Sequence, residues 1–135
     1  MAYLLDTNAV IAVLREVETP IGRRVRQCRP DEVFVSAIVL HELFYGAFKS
    51  ARVVRNVALV DGLRFGALEF SREDAREAGE IRAMLAAEGR PIGPYDVLIA
   101  GQARARGLVL VTRNLGELAR VARLVVENWE TGRRA

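Results

Sequence analysis

The 135-residue chain carries 20 basic and 17 acidic residues, a net charge of +3 and a pI near 9.6, and is 51% hydrophobic with a mean hydropathy of +0.12, values that exclude disorder and suit one domain over residues 1–135 with a real core. No apolar run reaches the roughly 18 residues of a membrane span, and the N-terminus lacks a secretory signal, so a soluble cytoplasmic protein with no membrane contact is expected. A single cysteine, Cys28, and a single histidine, His41, exclude an internal disulfide and a Cys/His zinc set, so any metal must be hard and oxygen-bound.

Strands and helices alternate along the sequence. Ala2 to Leu5 reads as a short buried strand that delivers Asp6 at its carboxyl end, with a helix from about Ala9 to Arg15. Pro20 suits the first turn of a second helix, which carries Arg23, Arg24 and Arg26. Val33 to Val35 is a second strand, and Ser36 caps a long helix to about Ala51, followed by another over Val53 to Leu63. Ala67 to Phe70 reads as a third strand, and the capping box at Ser71 to Asp74 opens a helix to about Ala87. After a Gly/Pro-rich loop come a helix over Tyr95 to Arg106, a strand over Leu108 to Val111, a short helix near Gly116 to Val121 and a last strand over Leu124 to Glu127. This order predicts an α/β fold, a parallel sheet of about five strands flanked by helices, with its site at the carboxyl ends of the strands.

Three acids interrupt apolar stretches: Asp6 after Tyr3-Leu4-Leu5, Glu42 within Ile38 to Phe48, and Asp96 ahead of Val97-Leu98-Ile99-Ala100. A buried carboxylate needs a cation, an arginine or backbone donors to replace its lost water. Each acid has a structural alternative. Asp6 or Asn8 can be a helix N-cap, Glu42 half of an internal salt bridge, and Asp96 the third helical residue after a Gly93 cap, where the helix dipole favours an acid. The helix around Glu42 shows an apolar stripe of Ala37, Leu40, Phe44, Ala47, Phe48 and Ala51, while Ile38, Val39 and Leu43 make the neighbouring faces apolar too, which places it in the core. Taken together at one sheet edge, the three acids read as a site for Mg2+ or Mn2+, and the chemistry that follows is phosphodiester hydrolysis without a nucleophilic triad. His41 points about 100° away from Glu42 on the same helix and reads as a core or surface residue rather than a general base.

Of the 20 basic residues only Lys49 is lysine. Arginine suits bidentate phosphate contacts and base stacking, although GC-rich coding produces the same enrichment. The charge suggests an RNA or DNA partner, and Arg15, Arg23, Arg24, Arg26 and Arg113 lie nearest the expected site and are its candidate contacts.

The chain resembles the PIN-domain ribonucleases, and among them the VapC-type toxins of bacterial and archaeal toxin–antitoxin pairs. The resemblance covers nearly the whole chain and rests on Leu5-Asp6-Thr7-Asn8, on Ser36 through His41-Glu42-Leu43 to Gly46, on Pro94-Tyr95-Asp96-Val97-Leu98-Ile99-Ala100, and on Val111-Thr112-Arg113-Asn114 followed by Glu117. It implies an endoribonuclease that inhibits translation and growth. Asp6, Glu42 and Asp96 would be its catalytic, metal-binding acids, with Thr112 near the metal and Thr7 and Ser36 as supports. Many members have aspartate where Asn114 stands, so either Asn114 or Glu117 would complete the site. The resemblance also implies an RNA substrate, a homodimer, and a VapB-type antitoxin that covers the active-site groove in a hetero-oligomer. The alternatives are a haloacid-dehalogenase-like phosphatase, which wants a second aspartate where Asn8 stands, and a non-cleaving PIN-like module that binds RNA or protein.

Overall fold

Strand β1 (Tyr3–Leu5) forms the middle of a five-stranded sheet in the computed structural model, which describes residues 1–15 and 17–130. Its neighbours are β2 (Val33–Ser36) and β4 (Val109–Val111), and β3 (Gly66–Leu68) and β5 (Val126–Glu127) form the edges, in the order β3-β2-β1-β4-β5. Every pair is parallel, with Leu5 level with Val35 on one side and Val111 on the other. Leu4, Leu5 and all of β4 are buried, as a strand covered on both faces requires. Because the strands run the same way, the ends of β1, β2 and β4 present Asp6, Ser36 and Thr112 along one edge.

The helices α1 (Thr7–Leu14) and α2 (Pro20–Gln27) join β1 to β2, and α3 (Ala37–Phe48) and α4 (Val53–Asp61) join β2 to β3. The pair α5 (Arg72–Ala87) and α6 (Pro94–Arg106) precedes β4, and the short α7 (Leu115–Leu118) precedes β5. Their starts follow from capping chemistry. Thr19 Oγ1 accepts from the Gly22 amide with Pro20 in the first turn, Ser36 Oγ accepts from Ile38, and Ser71 with Asp74 forms the reciprocal capping box. At Gly101 a Cβ would stand only 2.4 Å from Ala78 Cα and N, so this glycine is what allows α6 to lie against α5.

Several boundaries and one face differ from the sequence expectation. The first helix begins at Thr7, because the Asp6 carboxylate already caps it. Helix α3 stops at Phe48, where Ser50 Oγ donates to the Ala47 carbonyl at 2.7 Å and diverts the chain. Strand β3 is Gly66–Leu68 and ends before Phe70, because Gln102 Nε2 and Arg106 Nη2 both donate to the Glu69 carbonyl and draw it away from the sheet. The last strand starts at Val126, since Arg123 turns the backbone through a left-handed φ of 63° and Leu124 closes the turn onto Val121. The buried stripe of α3 is Val39, Leu43 and Ala47, whereas Ala37, Phe48 and Ala51 are exposed. Helical spacing identifies a helix with apolar residues on most sides, and the fold buries one of those sides.

Candidate active site

Asp6 leaves the end of β1 with its amide donating to the Val111 carbonyl at 3.1 Å, so the sheet itself fixes its backbone. Its side chain is 8% exposed and accepts from the Ala9 amide at 2.9 Å. The capping alternative is therefore realised, but it satisfies only part of the carboxylate. Burial raises the pKa of Asp6 above its ordinary value of 3.8; the Ala9 amide and the Thr112 hydroxyl oppose this, while the charges of Asp96 and Glu130 add to it. Among the described residues no arginine or lysine pairs with Asp6, Glu42 or Asp96.

Glu42 is half-buried in α3 and accepts from the Thr7 hydroxyl at 2.8 Å, so the two residues brace α3 against α1. The salt bridge considered from the sequence does not form among the described residues. Asp96 occupies the third position of α6, behind a Gly93 cap and Pro94. Gly93 leaves room for its carboxylate, since a Cβ there would approach Asp96 Oδ2 to 3.3 Å. Asp96 is exposed at the rim rather than sunk in the core, which corrects the expectation that all three acids sit in apolar surroundings. Partial burial of its carboxylate and then the charge of Glu42 raise its pKa.

The acids thus form a chain of influence from Glu42 to Asp96 to Asp6. Among the described residues, however, no three carboxylate, imidazole or thiol groups stand together closely enough to enclose one ion. The donors nevertheless suit a hard cation. They are oxygen ligands, two of them have pKa values raised by burial and by like charge, and among the described residues no cationic side chain balances them.

The remaining candidates fall at varying distances from this row. Thr112 is buried directly after β4 and accepts from the Asn114 amide at 3.0 Å. Asn114 is half-buried at the start of α7, where its side chain makes no capping bond. Glu117 is half-buried one turn on and has no part in the shifts of Asp6 or Asp96. Besides Asp96, the carboxylate that acts on Asp6 is Glu130, which nothing in its sequence surroundings singles out. It is brought there by Trp129, whose buried ring packs edge-on to Tyr3 at 4.9 Å and donates through Nε1 to Glu127 at 2.9 Å.

The arginines are more committed than the sequence suggests. Arg24 lies 4.5 Å from the Trp129 ring centre and 3.6 Å from Glu127. Arg23 and Arg26 both turn to Glu18, and Arg113 stands 3.9 Å from Glu130. Arg15 is exposed in a groove of about 610 Å³ that opens beside Glu42 and Thr7 between α1, α3 and α4, with Ile11, Leu43 and Leu59 among its walls.

A parallel α/β domain with a row of acids at its carboxyl edge defines a class, and the PIN domain family profile matches residues 3–124. The tRNA(fMet)-specific endonuclease VapC of Shigella flexneri is 39% identical over 131 residues, covering 96% of this chain and 98% of that protein. In the crystal structure of DNA-bound VapBC from Salmonella typhimurium, one chain is 40% identical, with a TM-score of 0.87 and coverage of 96% and 98%. A chain of VapBC2 from Rickettsia felis, bound to a DNA fragment from the promoter, is 32% identical at the same TM-score, covering 96% and 99%. The chain belongs to the PIN-domain family and, within it, to the VapC branch.

Proposed function

We propose that this chain is a magnesium- or manganese-dependent endoribonuclease, the toxin of a toxin–antitoxin pair, and that transfer RNA is its substrate class. The observation that carries the reading is the row of acids at the sheet edge, of which Asp6 and Asp96 have raised pKa values and none has a cationic partner among the described residues, in a chain 39% identical to a VapC named as specific for tRNA(fMet). Asp6 and Asp96 would hold the cation, with Glu42 beside them and Asn114 or Glu117 completing the set. When bound, the metal supplies charge neutralisation at the scissile phosphate and a more acidic water. The chain's own contribution is to hold those oxygens in place. The Ala9 amide and Thr112 orient Asp6, the Thr7 hydroxyl orients Glu42, and Gly93 leaves Asp96 its position. Ser36, buried at the end of β2, supports the same edge.

A VapB-type antitoxin is the partner this reading requires, and the groove beside Glu42 suits a peptide segment with apolar and acidic side chains, given its walls of Ile11 and Leu43 and its arginines Arg15 and Arg52. A homodimer and a toxin–antitoxin hetero-oligomer are supported by the open apolar side chains of Tyr45, Phe48 and Val54, which are 60%, 63% and 86% exposed. No helix among the described residues is long and apolar enough to cross a membrane.

One observation favours a second reading, a non-cleaving RNA-binding module: no three donors among the described residues enclose an ion, and Asn114 adds no charge. The phosphatase alternative falls with the family match. Purified protein incubated with an initiator transfer RNA transcript separates the first two readings. Cleavage in magnesium or manganese that stops in EDTA is expected, together with growth arrest on expression alone. Binding without cleavage in either metal favours the module, and cleavage undiminished by EDTA contradicts the metal.

A further inference from the structure

Helices α3 and α6 face each other through two consecutive pairs of side chains. One pair is acidic, since the charge of Glu42 acts on Asp96. The other is aromatic: His41 and Tyr95, each one residue ahead of an acid, meet with ring centres 5.7 Å apart and planes inclined by 63°. Both rings are open to solvent, Tyr95 at 42% exposure. Neither belongs to the core, which these helices supply through Val39, Leu43, Val97, Ile99 and Ala100. An exposed aromatic pair adds little to folding. Beside a row of acids proposed to hold a cation it offers what a ribonuclease also needs, a surface for a base.

We propose that His41 and Tyr95 form a nucleobase platform bordering the acids, with one unpaired base of the RNA stacked on the Tyr95 ring and the His41 ring turned toward that base's edge. The inference rests on the ribonuclease reading above and adds a specificity-determining pair to it. Unstacked bases of RNA are commonly received by aromatic side chains in this way, because every base has a π-face. The inclination between the rings suits both roles. A base parallel to Tyr95 meets His41 at an angle, where a ring nitrogen can exchange a hydrogen bond with its Watson–Crick or Hoogsteen edge. Tyr95 would thus supply affinity, and His41 preference among bases.

The test uses the stem-loops of an initiator transfer RNA as labelled oligonucleotides, intact and with one abasic site at each loop position. Binding is read in chelator for the parent, Tyr95→Phe, Tyr95→Ala and His41→Ala, and cleavage in magnesium and manganese is read on the same preparations. Tyr95→Ala should bind about tenfold more weakly than the parent, and Tyr95→Phe, which keeps the ring, within about twofold. One abasic position should weaken the parent about tenfold and Tyr95→Ala no further, the non-additivity that marks a direct contact. His41→Ala should flatten the difference among bases substituted at that position. Equal abasic penalties in parent and Tyr95→Ala, or alanine variants at both positions that bind within about twofold of the parent, would overturn the platform. A parent that shows the platform signature yet cuts no RNA supports the platform and contradicts the nuclease, so the two failures are distinguishable.

Discussion

Asp6 and Asp74 are both buried and both sit at the start of a helix, yet the protein treats their charges in opposite ways. Burial pushes the pKa of Asp74 up, but Arg106 at 3.0 Å, the Ser71 amide at 2.8 Å and Gln102 at 3.0 Å outweigh it and hold the carboxyl below 3.8. At Asp6 burial outweighs the Ala9 amide and the neighbouring Thr112 hydroxyl, the charges of Asp96 and Glu130 add to it, and the pKa rises. Where α5 meets α6, Asp74 is paired with Arg106, and Arg104 with Glu77 and Glu80, so the buried charges there are balanced. The carboxyl edge of the sheet leaves its charges open, which is the condition expected of groups that await a cation.

The contrast predicts that stability resides in the α5–α6 layer. The largest effect is expected from Gly101→Ala, whose new Cβ would overlap the Ala78 backbone. Overpacking of this kind should cost about 3 kcal/mol, read as a fall in urea midpoint with RNA cleavage per folded molecule retained. Asp74→Ala removes the capping box and an acceptor shared by Gln102 and Arg106. Arg106 is 33% exposed and can rehydrate, so the expected loss is about 2 kcal/mol. An unchanged midpoint for either variant would move the centre of stability elsewhere. Arg24→Ala should be milder, about 1 kcal/mol for the lost ring contact, with a change in Trp129 fluorescence. Weaker RNA binding without that change would support the RNA contact expected of Arg24.

The pH dependence should divide along the same line. A depressed folded pKa, as at Asp74, gives stability that is present above the unfolded value near 3.8 and is lost as pH falls through the lower folded pKa. The raised values of Asp6 and Asp96 work the other way. They favour the folded state below 3.8, and that contribution is lost as pH rises through their folded pKa values. In chelator, Asp6→Asn should therefore remove part of the decline in stability above pH 4, while Asp74→Ala should flatten the acid limb below it. Melting temperature against pH for the parent and the two variants checks both signs.

Much of this division is legible in the sequence, but unevenly. The capping box at Ser71 to Asp74, the Gly93-Pro94 start of α6 and the placement of Asp6 after a buried strand are local patterns, and each appears in the structure. What spacing does not contain is the side of a helix that a sheet will cover, so periodicity points to the stripe through Phe44, Ala47 and Phe48 where the core takes Ala47 together with Val39 and Leu43 of the neighbouring face. Burial of Asp96 likewise follows in the sequence from apolar neighbours that continue into the helix, while Asp96 itself remains at the rim. Glu130 and the Arg24–Trp129 contact depend on how the segment after β5 folds back over Tyr3, a long-range event without a local signal.

The smallest expected change in stability accompanies the largest expected loss of activity, at Asp6. Replacing it with asparagine keeps the oxygen that accepts from Ala9 and removes the unbalanced charge. Melting in chelator and in magnesium, paired with cleavage of initiator transfer RNA by the same preparation, tests the central claim most directly. The expected result is that Asp6→Asn melts at or above the parent's temperature in chelator, gains less from added magnesium, and no longer cuts RNA. Retained cleavage with a clearly lower melting temperature would show that Asp6 is only a helix cap, and the acids at the sheet edge would then not be a metal site.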